Sequence, residues 1–344
     1  MAKKRRTGGG RSTGGGRTNQ GSPKPAKPSQ AKPSQAKPSQ AKPSRAKPKA
    51  GKSRGPARTP ARQGSSYGMV LMALVALVVV TLAVAWYASR GSSDGGGAGG
   101  DRIEHVHGLG INPADGTLYA AAHNGVFRFG GGGKASRVGK GAQDTMGFTV
   151  VGPDHFLASG HPGQDAGGAP HLGLIESTDG GVTWSTLSLE GEADFHALRY
   201  RHGAVYGYNS TSGQLMVSED KRSWGDRSKV AVRDFVVSPK DPDTLAAAGG
   251  EGLMRSSDGG RTWSRGEAAV MLLDWPSQDR LWALTADRSV TRSTDGGKTW
   301  SSSGQFSGDP AAFAADGGTL YLATVAGEIL RSTDGGKNWN TLYS

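Results

Sequence analysis

An eight-residue unit, Ser-x-Asp-x-Gly-x-Thr-Trp, recurs through the C-terminal part of the chain and limits what it can fold into. It reads STDGGVTW at Ser177–Trp184, SSDGGRTW at Ser256–Trp263 and STDGGKTW at Ser293–Trp300, with a close variant, STDGGKNW, at Ser332–Trp339. A degraded copy, SEDKRSW, stands at Ser218–Trp224. Its aspartates fall at 179, 220, 258, 295 and 334, at intervals of 41, 38, 37 and 39 residues. In each unit Asp can bond the backbone of a tight turn, the glycines permit positive φ, and Trp can pack back between strands. Apolar strand pairs run between the turns, with second strands LYAAAHNG (118–125), FLASGHPG (156–163), VYGYNSTSG (205–213), LAAAGGEG (245–252), LWALTADRS (281–289) and LYLATVAGE (320–328). That makes six units; the first carries the glycine-rich turn Gly130–Gly133 in place of the eight-residue motif. A period near 40 with several short strands per unit predicts an all-β, six-bladed β-propeller over residues 101–344.

The repeated unit resembles the Asp-box, or BNR repeat, of sialidases, sortilin-type receptors and photosystem-assembly propellers. That resemblance covers about 240 residues. It implies a propeller with Asp-box hairpins lying away from the usual ligand face. The segments HVHGLG at His105, MGFTV at Met146–Val150 and SGHP at Ser159–Pro162 are similar to a bacterial propeller group often labelled glycosyl hydrolase. Sialidase-like members use an arginine triad, with one Arg in an Arg-Ile-Pro motif, and a Tyr nucleophile paired with Glu. Here the only Arg-Ile, Arg102-Ile103, is followed by Glu104, and spacing assigns no Tyr–Glu pair. The sialidase active site is therefore not carried onto this chain, and fold alone does not establish hydrolysis.

The chain before residue 101 has a different character. Residues 1–66 hold 18 Lys and Arg and no Asp or Glu, which leaves 23 basic against 29 acidic residues in the rest. AKPSQ repeats in tandem from Ala26 to Gln40 and AKPSR follows to Arg45. Proline at every fifth position and the lack of apolar residues predict a disordered, solvated, cytoplasmic basic tail. Such a tail suits loose contact with anionic lipid; no folded reader accompanies it, so specific nucleic-acid binding is not expected. Gly68–Ala88, at the centre of a segment spanning 67–89, carries no charge. As a helix of ~1.5 Å rise per residue it reaches ~31 Å, the thickness of a bilayer core. Trp86 and Tyr87 mark one interface. The positive charges before the helix place the N-terminus in the cytoplasm and the propeller outside, on a single-pass anchor in the cell membrane. Ala83-Val84-Ala85 resembles a cleavage site, but the long charged leader and long apolar run favour an anchor over a signal peptide. Residues 90–100 read as a Gly/Ser linker. The chain has no Cys, which removes disulfides, thiolate ligands and a lipidated-cysteine anchor.

In a propeller, the start of each blade's first strand and the end of its second lie on the same face, opposite the hairpins implied by the resemblance. The first strands begin HVHGLGI at His105, DTMGFTV at Asp144 and DFHALRY at Asp194; the later blades give RDFVVS, LLDWPS and AAFAAD. Positions one and three of an extended strand share a side. His123 and His161 occupy matching second-strand ends. His105, His107, His123, Asp144, Met146, His161, Asp194 and His196 are therefore candidates to gather on one sector of one face. His with Met and carboxylate suits copper; His with Asp alone suits zinc. The competing account is polar hydrogen bonding at a channel mouth. His155, His171 and His202 fall in loop contexts and read as surface residues. A binding or scaffolding module with a metal, glycan or protein ligand leads; a glycoside hydrolase and a membrane-complex assembly factor are the rivals. Replacing Val78 and Val79 with Lys in the full chain is expected to abolish recovery in washed membranes, because charge at mid-bilayer is costly. Unchanged recovery would mean that this segment is not the anchor.

Overall fold

The computed structural model describes residues 102–163, 166–250 and 252–344. The basic tail, the apolar segment and the linker lie outside the described residues. Among the described residues no helix is long and apolar enough to cross a membrane.

Six four-stranded antiparallel sheets follow one another along the chain, each in simple sequential order. Their innermost strands are Val106–Ile111, Asp144–Gly152, Phe195–Arg201, Val232–Val237, Val270–Ser277 and Pro310–Asp316. Each innermost strand packs beside the next, and the sixth returns to the first, which closes a six-bladed propeller. The apolar core is divided into six clusters, one at each seam between blades. Phe148 and Phe156 of blade two meet Tyr119 and Val126 of blade one; Leu157 and Leu174 meet Phe195 and Val205 of blade three. A blade in this position buries both faces, which explains why second strands such as Leu118–Ala122 are buried at every residue.

Ring closure uses side chains and no exchanged strand. Blade six is complete within its own segment, ending at Asn340–Tyr343. Ile103, just before blade one, donates its backbone N–H to the Tyr343 hydroxyl at 3.2 Å. The Tyr343 ring meets Phe129 edge-on at 6.0 Å, and Ile103, Val106 and Phe127 share a cluster with Tyr321 and Ile329 of blade six. Arg102-Ile103 thus belongs to this seam: Ile103 is buried in it and Arg102 is exposed.

The innermost ring is crowded. A Cβ at Gly110 would lie 2.7 Å from Val150 Cγ2, and one at Gly147 would lie 2.4 Å from the Phe195 carbonyl. Only glycine lets neighbouring inner strands approach this closely.

The repeated turns tie blades together at the outer rim. In the blade-four turn, Ser256 Oγ donates to Asp258 Oδ1 at 2.8 Å and accepts from the Gly260 amide at 2.9 Å. Asp258 in turn accepts from the Thr262 amide and hydroxyl, at 2.9 and 2.6 Å. The same pattern holds around Asp179, Asp295 and Asp334, with Asn338 replacing Thr in the last. Indole N–H groups reach the outer strand of the preceding blade: Trp224 to Ser188, Trp263 to Ser228 and Trp339 to the Gln305 carbonyl. These indoles are half-buried. Loss of one ring is accordingly expected to cost about 2 kcal/mol, at the low end for large-to-small changes.

Two outcomes follow. Ser256→Ala leaves the buried Gly260 amide without its acceptor and is expected to destabilise the propeller by ~1–3 kcal/mol in denaturant titration. Hydrogen bonds from Thr183 and Asn338 hold Asp179 and Asp334 down to about 2, below the ordinary carboxylate value. A depressed folded-state value gives stability that is present above the unfolded value near ~4 and lost as pH falls toward ~2. An Asp179→Asn, Asp334→Asn variant is expected to show a shallower fall of Tm between those pH values; a parallel fall would contradict this account.

Candidate functional site

Each innermost strand carries a register shift near its start, where one residue bulges out of the ladder. The bulged residues are His107, Met146, His196, Arg233, Met271 and Ala311. A bulge re-aims a side chain, and all of these except Met271 line a central channel of about 580 Å³. The equivalence also corrects the sequence alignment. The residue two before the bulge is His105, Asp144 or Asp194 in blades one to three, and Ala231, Ala269 or Asp309 in blades four to six. The sequence alignment, which starts these strands at Arg233, Leu272 and Ala311, is two, three and two residues out of register.

Around this mouth, blades one to three bring six of the eight candidate residues together. Asp144, at the head of its strand, faces three imidazoles. His107 Nε2 lies 3.4 Å from Oδ1, while His123 Nδ1 and His161 Nδ1 lie 3.1 and 3.3 Å from Oδ2. His161 turns its other nitrogen, Nε2, toward Asp194 Oδ2 at 3.5 Å. That same oxygen accepts from His196 Nε2 at 2.7 Å and from the Ser210 hydroxyl at 2.9 Å. His161 is set in place by Gly160, whose φ is 145°; a Cβ there would lie 1.9 Å from the Asp144 carbonyl oxygen. Gly160→Ala would therefore displace the strand end that carries His161.

His105 and Met146 stand apart. His105 was expected to share a side of the strand with His107, but its φ is 32°, it precedes the strand and its side chain is exposed. Its carbonyl accepts from the His123 amide at 3.0 Å, a backbone role. Met146 lines the channel wall with His107 and His196.

His171, read from sequence as a surface loop residue, joins the site. It lies in the connection 162–173, where the corresponding connections of the other blades have two to four residues. Its ring centroid is 5.5 Å from that of His161, and its Nδ1 is buried. The extra length of this connection was the available signal. His155 is also no free surface group, since it bonds Glu176 at 2.7 Å; His202 bonds the Ser238 carbonyl at 2.7 Å. Both lie away from the mouth, at the opposite end: His155 begins blade two's second strand and His202 is on a strand-to-strand turn.

The electrostatics are coherent. Burial raises Asp144, but hydrogen bonds to His107 and His161 and the charges of His107 and His123 outweigh it and hold the carboxyl well below the usual range. Asp194 is likewise raised by burial and lowered further by His161, His196 and Ser210. Hydrogen bonds to Asp144 and Asp194 push His161 up to about 10.

Chemically, the distances separate two kinds of contact. Charge-assisted N–H···O bonds run ~2.7–2.9 Å, which fits His196–Asp194 alone. The remaining N···O separations, 3.1 to 3.5 Å, are long for such bonds. Ligand atoms ~2.0–2.1 Å from a tetrahedral metal ion are about 3.3–3.4 Å apart. Two His/His/Asp groups meet the requirement of mutually close ligand atoms: His107, His123 and Asp144, and His161, His171 and Asp194. Four buried polar atoms at the mouth lack a well-formed hydrogen bond: His107 Nε2 and Asp144 Oδ1, which face each other only as an ion pair at 3.4 Å, and His171 Nδ1 and Asp194 Oδ1. Buried polar atoms are rarely left so, and their clustering fits a cation or water placed between them.

No protein-family model matches the sequence, and no curated protein matches it. Solved structures of similar fold include the GH74 enzyme of Niastella koreensis, at 16% identity over 70% of this chain and 37% of that one, with a TM-score of 0.48. YCF48 bound to D1 peptide is similar at 15% identity over 70% of this chain and 83% of that one, with a TM-score of 0.45. The GH74 xyloglucanase of Xanthomonas campestris is similar at 15% identity over 70% and 45%, with a TM-score of 0.44. The chain spans less than half the length of either GH74 enzyme. These likenesses are in β-propeller architecture.

Proposed function

We propose that the chain is a membrane-tethered, extracytoplasmic binding module whose channel mouth holds a divalent transition-metal ion through His107, His123 and Asp144. The observation that supports it most directly is the spacing of this triad: two imidazole nitrogens 3.4 and 3.1 Å from the Asp144 carboxylate, with the buried His107 Nε2 and Asp144 Oδ1 joined by nothing closer than that 3.4 Å contact. A nitrogen and oxygen set suits zinc; copper would also draw on the Met146 thioether on the adjoining wall. The ion would stand beside the channel, which a glycan or protein ligand can enter. The basic tail would sit against anionic lipid on the other side of the membrane.

A glycoside hydrolase on the same face fits less well. Such enzymes need one carboxylic acid whose value is raised to donate a proton and a second that is ionised. Asp144 and Asp194 are both held ionised by surrounding imidazoles.

The test is metal content of the full chain in detergent after equilibration with zinc or copper and removal of excess. The parent is expected to retain metal, and a His107→Ala, His123→Ala variant to lose it from this triad. Saturating metal is expected to raise Tm in the parent, since ligand at ~100 times Kd adds about 2.7 kcal/mol to the folded state. A parent that retains neither ion and melts identically with and without them would overturn the proposal and leave metal-free glycan or protein binding.

A further inference from the structure

The triad assigned above uses three of the groups at the mouth and leaves a second set unexplained. Asp194 is buried, with 6% of its side chain exposed, and its Oδ1 has no hydrogen-bond partner. His171 Nδ1 is likewise buried and unbonded, on the long connection that brings it over His161. His161, His171 and Asp194 present mutually close ligand atoms. A solvated polar mouth would satisfy such atoms with water or leave them exposed; here the carboxylate is under the surface and its Oδ1 is unbonded.

His161 occupies the position between the two sets. Its Nδ1 lies 3.3 Å from Asp144 and its Nε2 lies 3.5 Å from Asp194. Both are ligand-edge distances, not short hydrogen bonds. Each His161 nitrogen thus faces one of the two carboxylates. His196, by contrast, bonds Asp194 at 2.7 Å and so acts as a hydrogen-bonding orienter of that carboxylate.

We infer that the mouth holds a second divalent transition-metal ion at His161, His171 and Asp194, joined to the first through the His161 imidazole ring. The inference rests on the first triad being a metal centre. The first ion takes His107, His123, Asp144 and His161 Nδ1; the second takes His161 Nε2, His171 and Asp194. Both ring nitrogens of His161 then bind metal, and the protons they carried leave to solvent as the bonds form. With metal–nitrogen bonds of ~2.0–2.1 Å on either side of the ring, the ions stand about 6 Å apart. The second ion, with three protein ligands, would keep one position open for a small anionic or carbonyl-bearing ligand.

The experiment uses the full chain in detergent, titrated with Cu(II) alone and with Zn(II) alone. Bound metal is counted after removal of excess, and the copper form is examined by electron paramagnetic resonance. Two equivalents are expected in the parent, with a copper signal showing magnetic coupling. His171→Ala, outside the first triad, is expected to hold one equivalent and give an isolated-ion signal. His161→Gln is expected to lose the coupling. One equivalent in the parent, unaffected by His171→Ala but lost in His123→Ala, would overturn the second centre and leave the first standing. Two equivalents with isolated-ion spectra would overturn the bridge, and no bound metal would overturn both readings. The parent's stoichiometry and spectrum decide these cases even if a His161 variant does not fold.

Discussion

Each blade has two apolar faces and can stay in water only by covering both. Everything else in the propeller follows from that need. The six clusters of buried side chains lie at seams, not inside blades, so no blade has a core of its own. Satisfying the last face requires the first and sixth blades to meet, and Ile103, Phe129, Tyr321 and Tyr343 supply that seam. Bringing six inner strands around one axis then forces small residues such as Gly110 and Gly147 where strands nearly touch. The outer rim, which has more room, is held by the indole and serine bonds of the repeated turns.

The candidate site grows out of the same packing. Inner strands start with a bulge in all six blades, and in all but the fifth the bulged residue lines the channel. What that side chain is differs by sector. Blades one to three supply His107, Met146 and His196, flanked by Asp144 and Asp194. Blade four supplies Arg233, whose guanidinium donates across the channel to the Pro310 carbonyl at 2.7 Å. In blades four and five, Asp234 and Asp274 serve the ring itself: they accept the Leu273 and Ala315 amides of the neighbouring inner strands at 2.8 and 2.6 Å. Carboxylates in one half of the ring face imidazoles, and those in the other half fasten strands.

How much of this the sequence showed depended on whether a physical requirement left a mark on a single residue type. The turns were legible because Asp179, Asp258, Asp295 and Asp334 each need Ser two residues before and a hydroxyl or amide side chain four residues after. Blade one lacks that turn, yet its paired apolar strands revealed it. The bulge left no such mark in blades four to six, where Arg233, Met271 and Ala311 share no chemistry, so their register was misjudged. His105 was grouped with His107 on the assumption of a regular strand, and its positive φ breaks that assumption. His171 comes to the site through the folding of a long connection, which no periodicity describes. The ring closure was equally hidden, because Ile103 and Tyr343 are 240 positions apart and meet only when all six blades are in place.

The closing seam has a consequence for where the chain needs its ends. Strand exchange between first and last blades would make one junction special and fix the termini there. Here the junction is made of the same kind of side-chain packing as the other five, and Ile103 and Tyr343 are already in hydrogen-bond contact. The ring is thus indifferent to its starting point: a circular permutant that joins these ends and opens between any other two blades keeps every seam. Such a chain would begin and end at a different blade without altering a single contact within the histidine-bearing sector.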